Sequence, residues 1–181
     1  MLRHLKLNKN FLYFFFVIIG ISTIFYQVNF EDYWIDEMQS FWIADPKLSL
    51  SETIQRHKID YHTPILFNLV LKYFLILFNY NPEVARYLPF IFGSLFLIII
   101  GPITYQVKKD NTFLFTTLIA CLSIYTIKYS QEVRPYSLLL LTSALNIYFF
   151  LKLLNEIENN KKNKIFYIIF SVINYSTNPF S

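Results

Sequence analysis

The chain has 181 residues, of which 55% are hydrophobic, 20% aromatic and only 15% charged, against about 25% charged in an ordinary soluble domain. That balance excludes a conventional soluble fold and predicts an all-α polytopic membrane protein: a bundle of transmembrane helices with short helices on its outer surface. The formal charge of +4 sits in short loops between apolar runs, which orients a membrane protein, so no nucleic-acid partner is predicted; the single cysteine, Cys121, excludes a disulfide framework and a Cys-based metal site.

The first apolar run, 11–28, gives ~27 Å of helix, enough to cross a bilayer core. Arg3, His4, Lys6 and Lys9 precede it and place that end in the cytoplasm. No small-residue cleavage site follows, so the run reads as an uncleaved span and not a signal peptide. The next segment, 29–83, is then an outer loop, and its part from Glu31 to Pro64 holds seven of the chain's 12 acidic residues.

Three surface helices are expected in this loop, at 34–45, 50–57 and 64–80. In the first, Trp34, Ile35, Met38, Phe41 and Trp42 recur at helical spacing with Asp36, Glu37, Gln39 and Ser40 on the other side, the pattern of an amphipathic helix lying on a membrane. Ser49 and Glu52 have capping-box spacing for the second, and Thr63-Pro64 opens the third. The third carries Lys72 at its midpoint, and a lysine at the centre of a true span costs about 2.5–3.5 kcal/mol. It is therefore read as a helix that does not cross. Spans at 84–107, 113–128, 137–154 and 165–181 complete the reading, with the Lys108 and Lys161 clusters both cytoplasmic and a polar island at Gln131 to Tyr136 on the outside. No internal repeat or second domain is visible, and residues 1–181 read as the N-terminal part of one transmembrane domain.

Charged groups beside a bilayer are costly and usually functional, which singles out Asp36, Glu37, Asp60, His62, Glu132 and Arg134. Each has a plainer reading. Asp36 suits a helix cap, His62 a solvated loop histidine, and Glu132 with Arg134 a mutual salt bridge beside an interfacial Tyr136.

Four motifs in order carry a resemblance: Trp34-Ile-Asp36-Glu37 at the start of the outer loop; Asp60-Tyr-His62-Thr-Pro64 before a short helix; Asn81-Pro-Glu-Val-Ala-Arg86-Tyr-Leu-Pro89 leading into the next span; and Tyr129-Ser-Gln-Glu132-Val-Arg134-Pro-Tyr136. Over about residues 11–155 the chain resembles the N-terminal part of the membrane glycosyltransferases of the C-type fold, a group that includes protein O-mannosyltransferases and the lipid A aminoarabinose transferase. It departs from them at Thr63, where many relatives have proline, and at Gln131, where some have a second acid.

The resemblance implies a transferase of the bacterial inner membrane with its active site outside, a polyprenyl-phosphate-linked sugar as donor, and an extracytoplasmic lipid, glycan or protein as acceptor. Displacing a lipid phosphate needs a base for the acceptor proton and cations on the leaving phosphate. Asp36 and Glu37 are the catalytic candidates. Successive residues on a helix point ~100° apart, so only one of them faces the cleft, and Asp36 is taken as the base. Arg134 fits the phosphate clamp, with Lys72 and Arg86 behind it, and Asp60, His62, Glu132 and Tyr136 complete the substrate-binding set. Glu132 with Asp36, and with His62 as a third ligand, suits a divalent cation such as Mg or Mn; alternatively Glu132 orients Arg134. A transporter is the rival class, since Lys72 and proline-broken helices suit a substrate path, although the charges gather on one face. A non-catalytic membrane fragment is the third reading.

Overall fold

The computed structural model of the protein describes residues 8–26, 28–29, 31–59, 64–155 and 161–177, and within them every regular element is helical. The predicted site residues Asp60 and His62 lie outside the described residues.

Helix α1 (Lys9–Phe25) opens on Asn8, whose side chain accepts the Asn10 N–H at 3.0 Å. Three short helices follow, α2 (Ile35–Ile43), α3 (Leu50–Ile59) and α4 (Ile65–Leu77). α3 begins as its sequence predicts: Ser49 Oγ accepts the Glu52 N–H at 3.3 Å, and the Glu52 carboxylate accepts the Ser49 N–H at 2.7 Å. The Ser49 hydroxyl, which donates to that carboxylate at 2.7 Å, and the Ser49 N–H hold the Glu52 carboxyl below its usual range.

The apolar positions of α2 divide differently from the sequence expectation. Phe41 is buried, but Trp34, Ile35, Met38 and Trp42 face outward, with Ile35 86% exposed. Glu37 and Ser40 point inward in their place.

α4 has 13 residues, ~20 Å of helix against an apolar bilayer core of ~30 Å. Phe67, Leu71 and Leu75 pack it onto Phe41 of α2 and onto Leu88 and Leu138 further along the chain. It stops short of the predicted residue 80 because Asn79 and Tyr80 take left-handed backbone angles, φ 52° and 56°, and the Tyr80 N–H turns back to the Leu75 carbonyl at 2.8 Å. The reversed chain runs through a 3₁₀ turn (Pro82–Val84). There the Pro82 carbonyl accepts the Tyr33 hydroxyl at 2.6 Å and the Glu83 carbonyl accepts the Asn29 amide at 3.1 Å. The residues that follow α4 are thus tied to the loop that follows α1.

Helices α5 (Tyr87–Val107), α6 (Thr112–Leu122), α7 (Ile124–Tyr129), α8 (Tyr136–Asn155) and α9 (Lys161–Thr177) form the bundle with α1; α5 is its centre, packed on α1, α6 and α8, and α9 covers α8. The expected single helix at 113–128 is in fact two. Ser123 adopts an extended conformation between them and its hydroxyl caps α7 at the Thr126 N–H, the competition between side chain and helix ladder that serine offers. Close approach of α7 to α5 depends on Gly93, where an added Cβ would run into the Ser130 side chain. A polar ladder joins α8 to α9: Ser143 Oγ donates to Asn174 Oδ1 at 2.8 Å, Thr142 Oγ1 to the same atom at 3.1 Å, and Ser171 Oγ to Asn146 Oδ1 at 3.1 Å.

Two helical stretches, Pro82–Val107 and Tyr136–Asn155, are long and apolar enough to cross a membrane, while α1, α4 and α6 are apolar but shorter. The bundle has two chemically distinct ends. The start of α1, the α5–α6 connection and the end of α8 bring Lys9, Lys109 and Lys152 around one cavity. The opposite end carries the acidic loop and the Gln131 island.

Candidate functional site

The site lies where the start of α2 meets the α7–α8 connection. Glu37 makes that junction. Its carboxylate is 1% exposed and lies 2.9 Å from the Arg86 guanidinium. One oxygen accepts the Val133 N–H at 2.7 Å, 96 residues away in the chain, and the other accepts the Trp34 N–H at 3.1 Å. Arg86 is equally committed: Nε and Nη2 bond Glu37, Nη1 donates to the carbonyls of Val28 and Glu31, and Nη2 also reaches that of Asp32. Its guanidinium lies 4.5 Å from the centre of the Tyr33 ring, and burial raises the Tyr33 hydroxyl above its usual pKa. This closed set fastens the loop after α1 to α5 and to the Gln131 island.

One residue earlier the geometry is different. The Asp36 carboxylate forms an ion pair with Arg134, and the side chains are 61% and 15% exposed. Arg134 Nη2 donates to the Tyr136 hydroxyl at 3.1 Å and its guanidinium stands over the Tyr136 ring. Its Nε is buried and has no hydrogen-bond partner among the described residues, so a donor in the arginine fork is unmet there. Asp36, Glu132, Arg134 and Tyr136 line one cavity of about 200 Å³ together with Trp34 and Lys128. A neighbouring cavity of about 230 Å³ shares Trp34, Lys128 and Glu132 with it. Lys128 lies 3.6 Å from the Glu132 carboxylate, one helical turn away, and over the Trp34 ring. Burial pushes the Glu132 carboxyl up, and Lys128 partly offsets that shift.

The arrangement brings together five of the predicted residues, Asp36, Glu37, Glu132, Arg134 and Tyr136, around this cavity, but commits the charge of Glu37 and of two others to the fold. Arg86 lines the neighbouring cavity and is paired with Glu37. Lys72, 4% exposed, donates to the carbonyls of Asp45 at 2.7 Å and Leu48 at 2.6 Å. It therefore closes the turn between α2 and α3, and burial lowers its pKa. The reason is common to all three: a charge buried at such a depth is stable only when it is paired and hydrogen-bonded by the protein itself. Asp36 and Glu132, expected to share a divalent cation, each face a cationic side chain instead, and among the described residues no three metal-ligating side chains converge.

Lys128 and Trp34 join the site without having been expected there from the sequence. The available signal was a lysine ending an apolar run four residues before Glu132. Gln131 is committed to the fold: its amide donates to the carbonyls of Ile24 at 2.8 Å and Tyr26 at 2.9 Å, capping the end of α1, which a carboxylate at that position could not do. Compared with protein-family models, curated proteins and solved structures, the chain matches none.

Proposed function

We propose that the chain is part of a polytopic membrane glycosyltransferase that moves a sugar from a polyprenyl-phosphate donor to an acceptor outside the cytoplasmic membrane. The observation that carries this reading is the Asp36–Arg134 pair. An acid from the first outer loop and a guanidinium from the second island meet at the mouth of a cavity, with an unmet arginine donor beside them.

The membrane part of the reading is supported by the outward faces of the helices. Phe11, Phe14 and Ile18 of α1, Phe115 and Ile119 of α6, and Ile168 and Val172 of α9 are all more than half exposed, an apolar extent that water-facing surfaces rarely carry. The outward stripe of α2 extends it to the site end. If α4 turns back without crossing, the lysine end lies in the cytoplasm by the positive-inside rule, and Asp36 and Arg134 face outside, as expected in a bacterial inner membrane.

In this chemistry the acceptor hydroxyl or amine attacks the anomeric carbon, its proton passes to Asp36, and the bond from that carbon to the phosphate oxygen breaks, releasing polyprenyl phosphate with inversion. The phosphate competes with Asp36 for Arg134, since a guanidinium takes phosphate oxygens in the same bidentate way as a carboxylate. Donor binding therefore frees the base at the moment that the clamp is filled. Lys128 and Tyr136 line the same cavity and would share the phosphate charge.

The test is binding and transfer of a synthetic polyprenyl-phosphate hexose by the full-length protein and its Arg134→Lys variant. Lysine keeps the charge and loses the planar fork, so donor binding should weaken by about tenfold, or ~1.4 kcal/mol. Parental binding and transfer in Arg134→Lys would remove Arg134 as clamp and the reading with it.

A further inference from the structure

A cavity of about 800 Å³ lies at the lysine end, away from the site above. Its wall is built on a proline. Pro102 has no N–H, so the Ile98 carbonyl one turn before it has no helical partner, and the Tyr13 hydroxyl of α1 donates to that carbonyl instead. Gly101 permits the approach, because an added Cβ would collide with the Tyr13 ring and reach Thr117 Oγ1 at 2.9 Å. Tyr13 in turn packs on Phe113, with ring centres 6.0 Å apart, and Tyr105 meets Phe113 edge-on at 5.7 Å. These contacts hold α1, α5 and α6 apart at their ends around a preformed space.

The space is cationic. Lys9, Lys109 and Lys152 reach it from three different elements. Lys152 is steadied over the Tyr148 ring at 5.0 Å. Asp110 also lines the cavity, but its carboxylate already takes Lys108 at 3.0 Å and the Thr112 N–H at 2.8 Å; these contacts, with Thr112 the main cause, lower its pKa to about 2. Neither Lys9 nor Lys109 has a carboxylate in ion-pair range among the described residues. Asn10, Gln106 and Asn155 are its other polar residues; the rest of the wall is aromatic and aliphatic, and that surface continues along the outward face of α1 through Phe14 and Ile18, 60% and 62% exposed. A free phosphate would use the lysines and leave that apolar wall wet. An amphiphile uses both.

We propose that this cavity seats the phosphate of an anionic glycerophospholipid, with the headgroup among Lys9, Lys109 and Lys152 and the acyl chains along α1. Basic pockets between helices at a cytoplasmic surface recognise such headgroups through the same combination of charge and apolar wall. The inference rests on the membrane reading above and is independent of the transfer reaction.

The experiment uses the full-length protein in vesicles and in mixed micelles, with phosphatidylglycerol and phosphatidylcholine as probes and native mass spectrometry of retained lipid as readout. The protein should prefer phosphatidylglycerol by about tenfold or more, as expected for three nearby lysines, with the preference weakening as ionic strength rises. Lys9→Gln/Lys109→Gln/Lys152→Gln should reduce it to less than about twofold. Lys109→Gln alone, at an exposed position, should lose part of the preference and serves if the triple variant does not fold; Lys58→Gln, on α3 and outside the cavity lining, should leave it intact. Equal retention of the two lipids, a preference that survives the triple substitution, or displacement by glycerol phosphate at concentrations comparable to the lipid would overturn the proposal. Failure to enter vesicles would overturn the membrane reading itself, which lysine-dependent selectivity cannot rescue.

Discussion

Asp36 and Glu37 are neighbours, and each carboxylate meets an arginine from far along the chain, yet the two pairs are opposites in physical character. Glu37–Arg86 is buried, and each partner is surrounded by backbone donors or acceptors. Asp36–Arg134 is half in solvent, keeps an unmet arginine donor and borders a cavity. The difference shows how one acidic dipeptide serves two purposes: the satisfied pair fixes the distance between two loops, and the incomplete pair is left for a ligand to complete.

The largest effect belongs to the buried pair. Arg86→Met leaves the Glu37 charge buried without its partner, which should cost about 3–5 kcal/mol and sharply reduce folded yield and thermal midpoint in detergent; Glu37→Gln/Arg86→Met should recover part of the loss. A single variant as stable as the parent would erase the contrast between the pairs.

For the incomplete pair the effect should move from stability to turnover. Asp36→Asn removes an exposed ion pair worth at most about 1 kcal/mol, but takes away the proposed base, so transfer should fall by about 10²–10⁴-fold while the melting curve changes little. Parental transfer rates would reduce Asp36 to a surface partner of Arg134.

Glu132 gives the smallest test and the one with a pH signature. Its folded-state pKa is raised by burial, so its ionised form is disfavoured in the native state. The resulting stability is full below the ordinary glutamate range and lost as pH rises through the raised folded value. Glu132→Gln should therefore match or exceed the parent's thermal stability at neutral pH and lose that relative advantage in acid. If instead Glu132→Gln falls below the parent at neutral pH and approaches it in acid, the Lys128 contact, and not desolvation, governs this carboxylate.

Much of the helical layout was legible because the signals were local. The Ser49–Glu52 capping box and Lys72, with its poor fit to a span, marked α3 and the short α4 directly. The break at Ser123 was not legible, since a lone serine in an apolar run usually continues the helix. The site was legible as residue types. Asp36, Glu132, Arg134 and Tyr136 were visible as polar groups between apolar runs, but their partners were not, because pairing across almost a hundred residues is set by tertiary packing. Which of Asp36 and Glu37 turns inward depends on the rotation of α2 about its own axis. That rotation is set by Phe41 entering the core while Trp34, Ile35 and Met38 stay outside, a choice the amphipathic pattern alone does not make.

The ladder between α8 and α9 has a consequence for the order in which the protein is made. Asn146, Thr142 and Ser143 on one helix and Ser171 and Asn174 on the other satisfy one another. In a bilayer, each helix entering alone would carry these groups without water or partner, at a cost approaching that of an unsatisfied amide in hydrocarbon. On the proposed membrane reading, the two would leave the translocation machinery as a hairpin, not one after the other. α8 would then wait at the insertion site until α9 has emerged, and the second island, at the start of α8, would reach its place against Glu37 only after that step.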